Sequence, residues 1–341
     1  MTGHGVEARI GAVLAVAAIG LPFILDDGAT ANLSVWFAFA LFAASLAFAW
    51  GHCGLLSLGH AVFFGAGAYA MSLTTLGLLP GLPGVASTWL GLALACLVPA
   101  LIGLAIGAFL FSSDHLQGPF FGIATLAIGV VAARLCESWD YLGGANGLMG
   151  VPPIMLGPNG GGPMVFDTLP VYYVMLAMLA AGLVALARVM ASPFGRALSA
   201  VRQNELRARG LGYDPAWLKT RAYATSAAVA GVAGAMFVVQ FGFASPSLVG
   251  FALSAEVLIW VAVGGRDSPL AAALAAIAVR LAEDWLSRAL GDVWPLVLGL
   301  IFIACVMALP RGLFGEAFAR LERRHDRTLA PGRDDHRHPG R

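Results

Sequence analysis

The chain has 341 residues, of which 59% are hydrophobic and 11% charged, and its formal net charge is +1. A soluble domain carries roughly a quarter charged residues, so this composition leaves too little polar surface to cover a water-soluble core, whereas a bilayer accepts apolar side chains on every outward face. The near-zero net charge gives no sign of a nucleic-acid partner, and glycine and alanine are abundant within the apolar runs, where small residues let membrane helices pack closely.

Crossing roughly 30 Å of hydrocarbon takes about 20 apolar residues in a helix. The sequence therefore predicts an all-α polytopic membrane protein of about ten transmembrane helices, near residues 8–25, 31–50, 54–77, 88–111, 118–137, 169–190, 221–243, 252–264, 268–286 and 294–309. The first run is followed by Ala29-Thr30-Ala31, which also fits a cleavable leader; its flank offers one Arg9 offset by Glu7, and a retained span is expected. The third run contains Gly54, Gly59, Gly65, Gly67 and Gly77 and is a candidate for interruption. The eighth is too short to span alone, so it is expected to be broken, tilted or re-entrant, with protein or water over its open backbone.

Arginine clusters in residues 188–221 and 311–341. Arg196, Arg202, Arg207, Arg209, Lys219 and Arg221 place the loop at about 191–220 in the cytoplasm. Parity then puts the Asp26-Asp27 turn and the Gly/Pro-rich loop at about 138–168 outside, and the Arg266 turn and both termini inside. Residues 1–315 read as one transmembrane domain and 316–341 as a charged cytoplasmic tail, partly disordered, in which His325, His336 and His338 are solvated side chains rather than metal ligands. Cys53, Cys96, Cys136 and Cys305 lie in or beside apolar stretches without CxxC spacing and read as small hydrophobes.

A phosphate-binding loop needs Gly-Lys followed by Ser or Thr. The single lysine, Lys219, sits in Leu-Lys-Thr, so an ATP-driven process would need its ATPase on another polypeptide. No Gly-x-Ser-x-Gly or HExxH motif marks a hydrolase, which leaves an intramembrane enzyme without support. Ionisable groups at membrane depth are functional candidates. Arg134 with Glu137 reads as a local pair near the outer end of the fifth span, and Arg280, Glu283 and Asp284 as marking the outer end of the ninth span and a partly amphipathic extension. Glu256 has no basic neighbour within two helical turns, so it faces a cavity, pairs with another helix or caps a helix start, and His60 beside Gly59 either lines a path or serves packing. The cytoplasmic loop opens with Ser192-Pro193, runs at helical spacing and ends at Gly210 and Gly212, as expected of a helical segment that docks a soluble partner.

Gly54-Leu-Leu-Ser-Leu-Gly-His-Ala-Val-Phe-Phe-Gly-Ala-Gly-Ala-Tyr69, Gly143-Gly-Ala-Asn-Gly-Leu148, the loop from Ser192, Ser245-Pro-Ser-Leu-Val-Gly250 and Val263-Gly-Gly-Arg266 together resemble the high-affinity branched-chain amino acid permease family of ABC importers, with the M-type subunit the better match. The resemblance spans roughly residues 30–315. It implies a type II-like importer permease of the bacterial inner membrane that binds no cofactor itself. Its partners would be a homologous H-type permease, two cytoplasmic ATPase subunits that use ATP and Mg, and a periplasmic solute-binding protein. Gly195, Arg196, Arg202, Asn204, Glu205 and Gly210 match the coupling-helix motif, and Ser57, His60, Tyr69, Asn146, Glu256 and Trp260 are the candidate path residues. Within the family, urea or short amides are the alternative cargo, suggested by the stretch from Glu256 to Arg266 and by Trp294-Pro-Leu-Val-Leu-Gly. Asp267, Pro269 and Arg280 depart from the family's commonest pattern. A stand-alone secondary transporter, proton-coupled through Glu256 and His60, is the reading from another class.

Overall fold

The computed structural model describes residues 3–79, 84, 86–112, 118–155, 167–308 and 312–316. Its helices are α1 (Gly3–Gly20), α2 (Asp27–Ala47), α3 (Ala61–Thr75), α4 (Thr88–Phe111), α5 (Pro119–Ser138), α6 (Thr168–Ala191), α7 (Pro193–Gln203), α8 (Glu205–Gly210), α9 (Pro215–Phe241), α10 (Phe251–Gly264), α11 (Pro269–Leu290) and α12 (Trp294–Ala308). A π-helical turn, Phe48–His52, continues α2. Two short antiparallel strands, β1 (Leu148–Met149) and β2 (Phe243–Ala244), pair Leu148 with Ala244 and Met149 with Phe243.

Helix starts follow local chemistry. Asp26, Ser87, Ser192, Asn204, Asp214 and Ser268 each accept a backbone N–H of the helix that follows. Proline stands in the first turn of α5, α7, α9 and α11, where its missing N–H costs nothing. Asp214-Pro215 therefore starts α9 six residues before the expected 221, and α11 runs on to Leu290 rather than 286.

Five of these helices are long and apolar enough to cross a membrane: α2 with its π-turn, α4, α5, α6 and α9. A sixth crossing arises if α10 and α11, which meet at 114°, are taken as one broken span, and α1 and α3 are shorter apolar helices. The architecture is that of a polytopic helical membrane protein, and by length and composition five or six crossings are found among the described residues.

The span windows of α2 and α9 are 83% and 78% buried, against 33% for α4 and 22% for α5 and α6, so α2 and α9 form the centre and the other three face outward. Backbones touch there through glycine. A Cβ on Gly67 of α3 would lie 2.1 Å from the Gly231 carbonyl oxygen, one on Gly231 2.1 Å from that of Ala95 in α4, and one on Gly234 1.9 Å from that of Phe64. Val16, Leu101, Phe109, Val131, Leu296 and Leu300 stay exposed on the periphery, as lipid contact requires.

Two half-length helices interrupt this frame. At about 1.5 Å per residue, α3 and α10 reach only about 22 and 21 Å, and each is preceded by chain outside any α-helix, residues 54–60 and 243–250, the latter with a 3-10 turn at Pro246–Leu248. Their starts meet inside the bundle: Ala61 N–H donates to Ser254 Oγ at 3.0 Å, and a Cβ on Gly65 would lie 2.3 Å from Val249 Cγ2. Open backbone at that depth must be satisfied internally. Leu55 N–H donates to the Ala49 carbonyl at 2.9 Å and Leu58 N–H to Thr125 Oγ1 at 3.0 Å. The interruption expected in the third run and the break expected at the eighth are both present. The loop at 138–168 forms two 3-10 turns, Asp140–Leu142 and Gly144–Asn146, before β1; its residues 156–166 and the tail 317–341, with His325, His336 and His338, lie outside the described residues.

Candidate functional site

The loop between α6 and α9 is helical and starts after Ser192 as expected, but it breaks at Asn204 into α7 and α8, and it is fastened to the bundle. Gly195 lets α7 turn back against α6, since a Cβ there would lie 2.2 Å from the Met190 carbonyl oxygen. Ala197, Leu198 and Val201 form the buried face of α7. Arg202 donates to the Gly51 carbonyl at the end of the π-turn and lies 3.3 Å from Asp267 Oδ1 in the turn between α10 and α11. Glu205 accepts from Lys219 at 2.6 Å and from Arg209 at 3.2 Å, tying α8 to α9. Asn204 Oδ1 accepts from Arg207 N–H and so caps α8. A cavity of about 150 Å³ remains under the loop, lined by Cys53, Phe111, Gly118, Arg202, Glu205 and Lys219.

Arg196 is exposed and donates to the Ala191 carbonyl at 3.0 Å. Gly210 ends α8 with open space around its Cα, and the left-handed exit falls on Gly212 at φ +87°. The predicted docking residues therefore divide. Gly195, Arg202, Asn204 and Glu205 seat the loop, whereas Arg196 and the strongly exposed Leu206 and Leu211 present its free surface.

The candidate path residues do not gather in one cleft. His60 is fully buried, with Nε2 3.0 Å from Ser45 Oγ and 3.4 Å from Ser226 Oγ and its ring stacked on Phe42. It ties α2, α3 and α9 together. Ser57 Oγ lies 3.0 Å from Tyr223 Oη, which fixes the non-helical approach to α3. Tyr69 is buried and its hydroxyl has no partner among the described residues. Asn146 is exposed in the second 3-10 turn of the loop before β1. Phe42, Phe64 and Phe39, in successive ring contact, fill the interior between His60 and the buried Trp260.

Glu256 finds its partner on another helix. Arg280 Nη2 lies 3.2 Å from Glu256 and Nη1 2.8 Å from Glu283, while the guanidinium rests over the rings of Phe39 and Trp260 at 4.2 and 4.9 Å. The sequence reading takes Arg280 and Glu283 to mark the outer end of the ninth span and names neither of these contacts. Because α11 extends to Leu290, Arg280 is the twelfth of its 22 residues, in mid-helix. The only sequence signal for this was the departure from family pattern at Arg280 itself. Asp284 pairs one turn on with Arg288, and Arg134 with Glu137 at 2.8 Å, as local spacing predicts. No group of three or more His, Cys, Asp or Glu side chains able to hold a metal ion is found among the described residues.

Residues 28–307 match the family model described as the permease component of branched-chain amino acid transport systems. The chain belongs to that family. It is 32% identical over 320 residues to the high-affinity branched-chain amino acid transport system permease protein LivM of Salmonella typhimurium, covering 88% of this chain and 73% of that protein. The LivM protein of Escherichia coli matches at 31% over the same shares, and a probable LivM of Methanocaldococcus jannaschii at 28% over 43% of this chain and 41% of its own length. No solved structure matches. These relatives are transport permeases rather than enzymes, and neither the family description nor their names carry urea or short amides.

For a permease of this family the arrangement combines a buried centre of α2 and α9, two half-helices whose starts meet inside the bundle, and a two-helix loop clamped to the bundle. Arg202 contacts the π-turn of α2 and the α10–α11 turn at once, so the loop cannot shift without pulling on the helices that carry Phe39 and Glu256. Reversible movement between two such packings is how permeases alternate access.

Proposed function

We propose that this chain is the permease subunit of an ATP-driven importer for branched-chain amino acids. It forms half of a path across the bacterial inner membrane together with a homologous permease. Membership of the permease-component family over residues 28–307 carries this reading. Two separate ATPases supply energy, because the one lysine of this chain lies outside any phosphate-binding loop, and ATP with Mg is bound by them alone. A periplasmic binding protein delivers the solute. Ten crossings leave both termini and the loop at about 191–220 in the cytoplasm and the loop at about 138–168 outside, with α3 and α10 as half-helical crossings completed by the chain that precedes each.

The α7–α8 loop is the coupling element in this reading. Its inward residues Arg202 and Glu205 hold it to the bundle, and its exposed Arg196, Leu206 and Leu211 meet the ATPase. The test is reconstitution: the chain with its homologous permease, ATPases and binding protein should accumulate leucine in proteoliposomes only with ATP. Leucine uptake by this chain alone, driven by a proton gradient without ATP, would establish a secondary transporter instead.

A further inference from the structure

A charged trio lies halfway through the bundle. Arg280 is the twelfth of the 22 residues of α11, and Phe39, whose ring supports its guanidinium, is the thirteenth of the 21 residues of α2. With its π-turn α2 forms a 26-residue span, Asp27–His52, of which Phe39 is the thirteenth residue, so the guanidinium 4.2 Å over that ring lies near the middle of the span. Arg280 and Glu283 are well covered, with side chains 23% and 15% exposed, but Glu256 is 45% exposed. A carboxylate that open at this depth cannot face lipid tails, so it faces water or a polar protein surface. The same trio holds a buried Arg280 Nε with no partner among the described residues, a donor left over after both carboxylates are served.

The two contacts of Arg280 are unequal. The covered one, to Glu283, is 2.8 Å, and the accessible one, to Glu256, is 3.2 Å. A molecule bearing a carboxylate and an ammonium on one carbon can enter between Glu256 and Arg280 and replace that single contact with two charge-assisted ones. Its charges cancel as it enters, so the net charge of the trio is unchanged and no bare ion is carried to mid-depth. Urea and simple amides have no charges to make this exchange.

We propose that Glu256 and Arg280 form a mid-membrane waypoint for zwitterionic α-amino acids. The substrate carboxylate takes the Arg280 Nη2 contact, the substrate ammonium takes the Glu256 carboxylate, and Glu283 holds the guanidinium over Phe39. The proposal rests on the importer reading above and specifies what its path recognises. Such a site reads the α-carbon groups and leaves side-chain selection to the binding protein.

The reconstituted wild-type importer tests it without a substitution. Labelling of the Glu256 carboxylate with N-ethyl-5-phenylisoxazolium-3'-sulfonate, which reacts with ionised carboxylates, followed by peptide mass spectrometry, should slow several-fold in saturating leucine and stay unchanged in urea; labelling indifferent to leucine overturns the waypoint. In the same system Glu256→Gln should lower the leucine moved per ATP hydrolysed at least tenfold. The charge-free variant Glu256→Gln/Arg280→Gln/Glu283→Gln should stay equally low, because it removes the binding groups as well as any unpaired charge. Wild-type transport by that triple variant would make the trio a helix tie and overturn the proposal. Wild-type importer that accumulates leucine while Glu256 labelling ignores it sinks the waypoint alone, whereas wild type that accumulates none under ATP sinks the importer reading with it.

Discussion

Gly231 presses against one turn of α4: a Cβ there would lie 2.1 Å from the Ala95 carbonyl oxygen and 2.3 Å from Pro99 Cγ. Gly231→Ala forces α4 and α9 apart and should cost about 1–3 kcal/mol, read as a lowered unfolding temperature of the detergent-purified chain. Gly210 offers the opposite case. Nothing lies within 4 Å of its Cβ position, so Gly210→Ala should leave that temperature unchanged. Sequence alone marks both as glycines of a glycine-rich membrane protein and does not rank them, because rank depends on what another helix brings within a few ångströms. The same holds for His60. Its type and its apolar surroundings flagged it, but Ser45 and Ser226, from two other helices, give it a packing role.

At the scale of elements, caps and prolines in the sequence foretell where helices begin, and the α7–α8 loop shows how far that goes. Ser192-Pro193 starts α7, legible as local hydrogen-bond chemistry, whereas the break at which Asn204 caps α8 was not foreseen. Asn204→Ala should cost about 1 kcal/mol of local stability, measured as faster amide exchange in residues 205–210. That Arg202 reaches Gly51 and Asp267 was not legible, since the three residues lie far apart in the chain. Replacing Arg202 and Glu205 together with alanine should therefore unseat the loop and abolish ATP hydrolysis stimulated by the loaded binding protein, while membrane insertion persists. Normal coupled transport in that double variant refutes the coupling assignment. The half-helices α3 and α10 are an intermediate case: glycine content and short length warned of breaks, whereas the meeting of their starts through Ala61 and Ser254 is a tertiary fact.

For the whole molecule, the arginine-bearing loop sets a sidedness that reporters can check. A phosphatase fused after Gly210 should be inactive and one inserted in the loop at about 138–168 active, and the reverse pattern would overturn the orientation. Composition by itself determined that the chain lives in a bilayer, because 59% hydrophobic residues have no soluble arrangement. Apolar runs and their caps determined most of the helices, since a chain in lipid must close its backbone hydrogen bonds locally. Tertiary structure alone decided which charges meet. Glu256 and Arg280 are 24 positions apart on two helices joined at a bend of 114°, and their contact depends on the rotation and depth of each helix. Rotation and depth are set by the sum of packing against α2, above all at Phe39, and no local periodicity in the sequence encodes that sum.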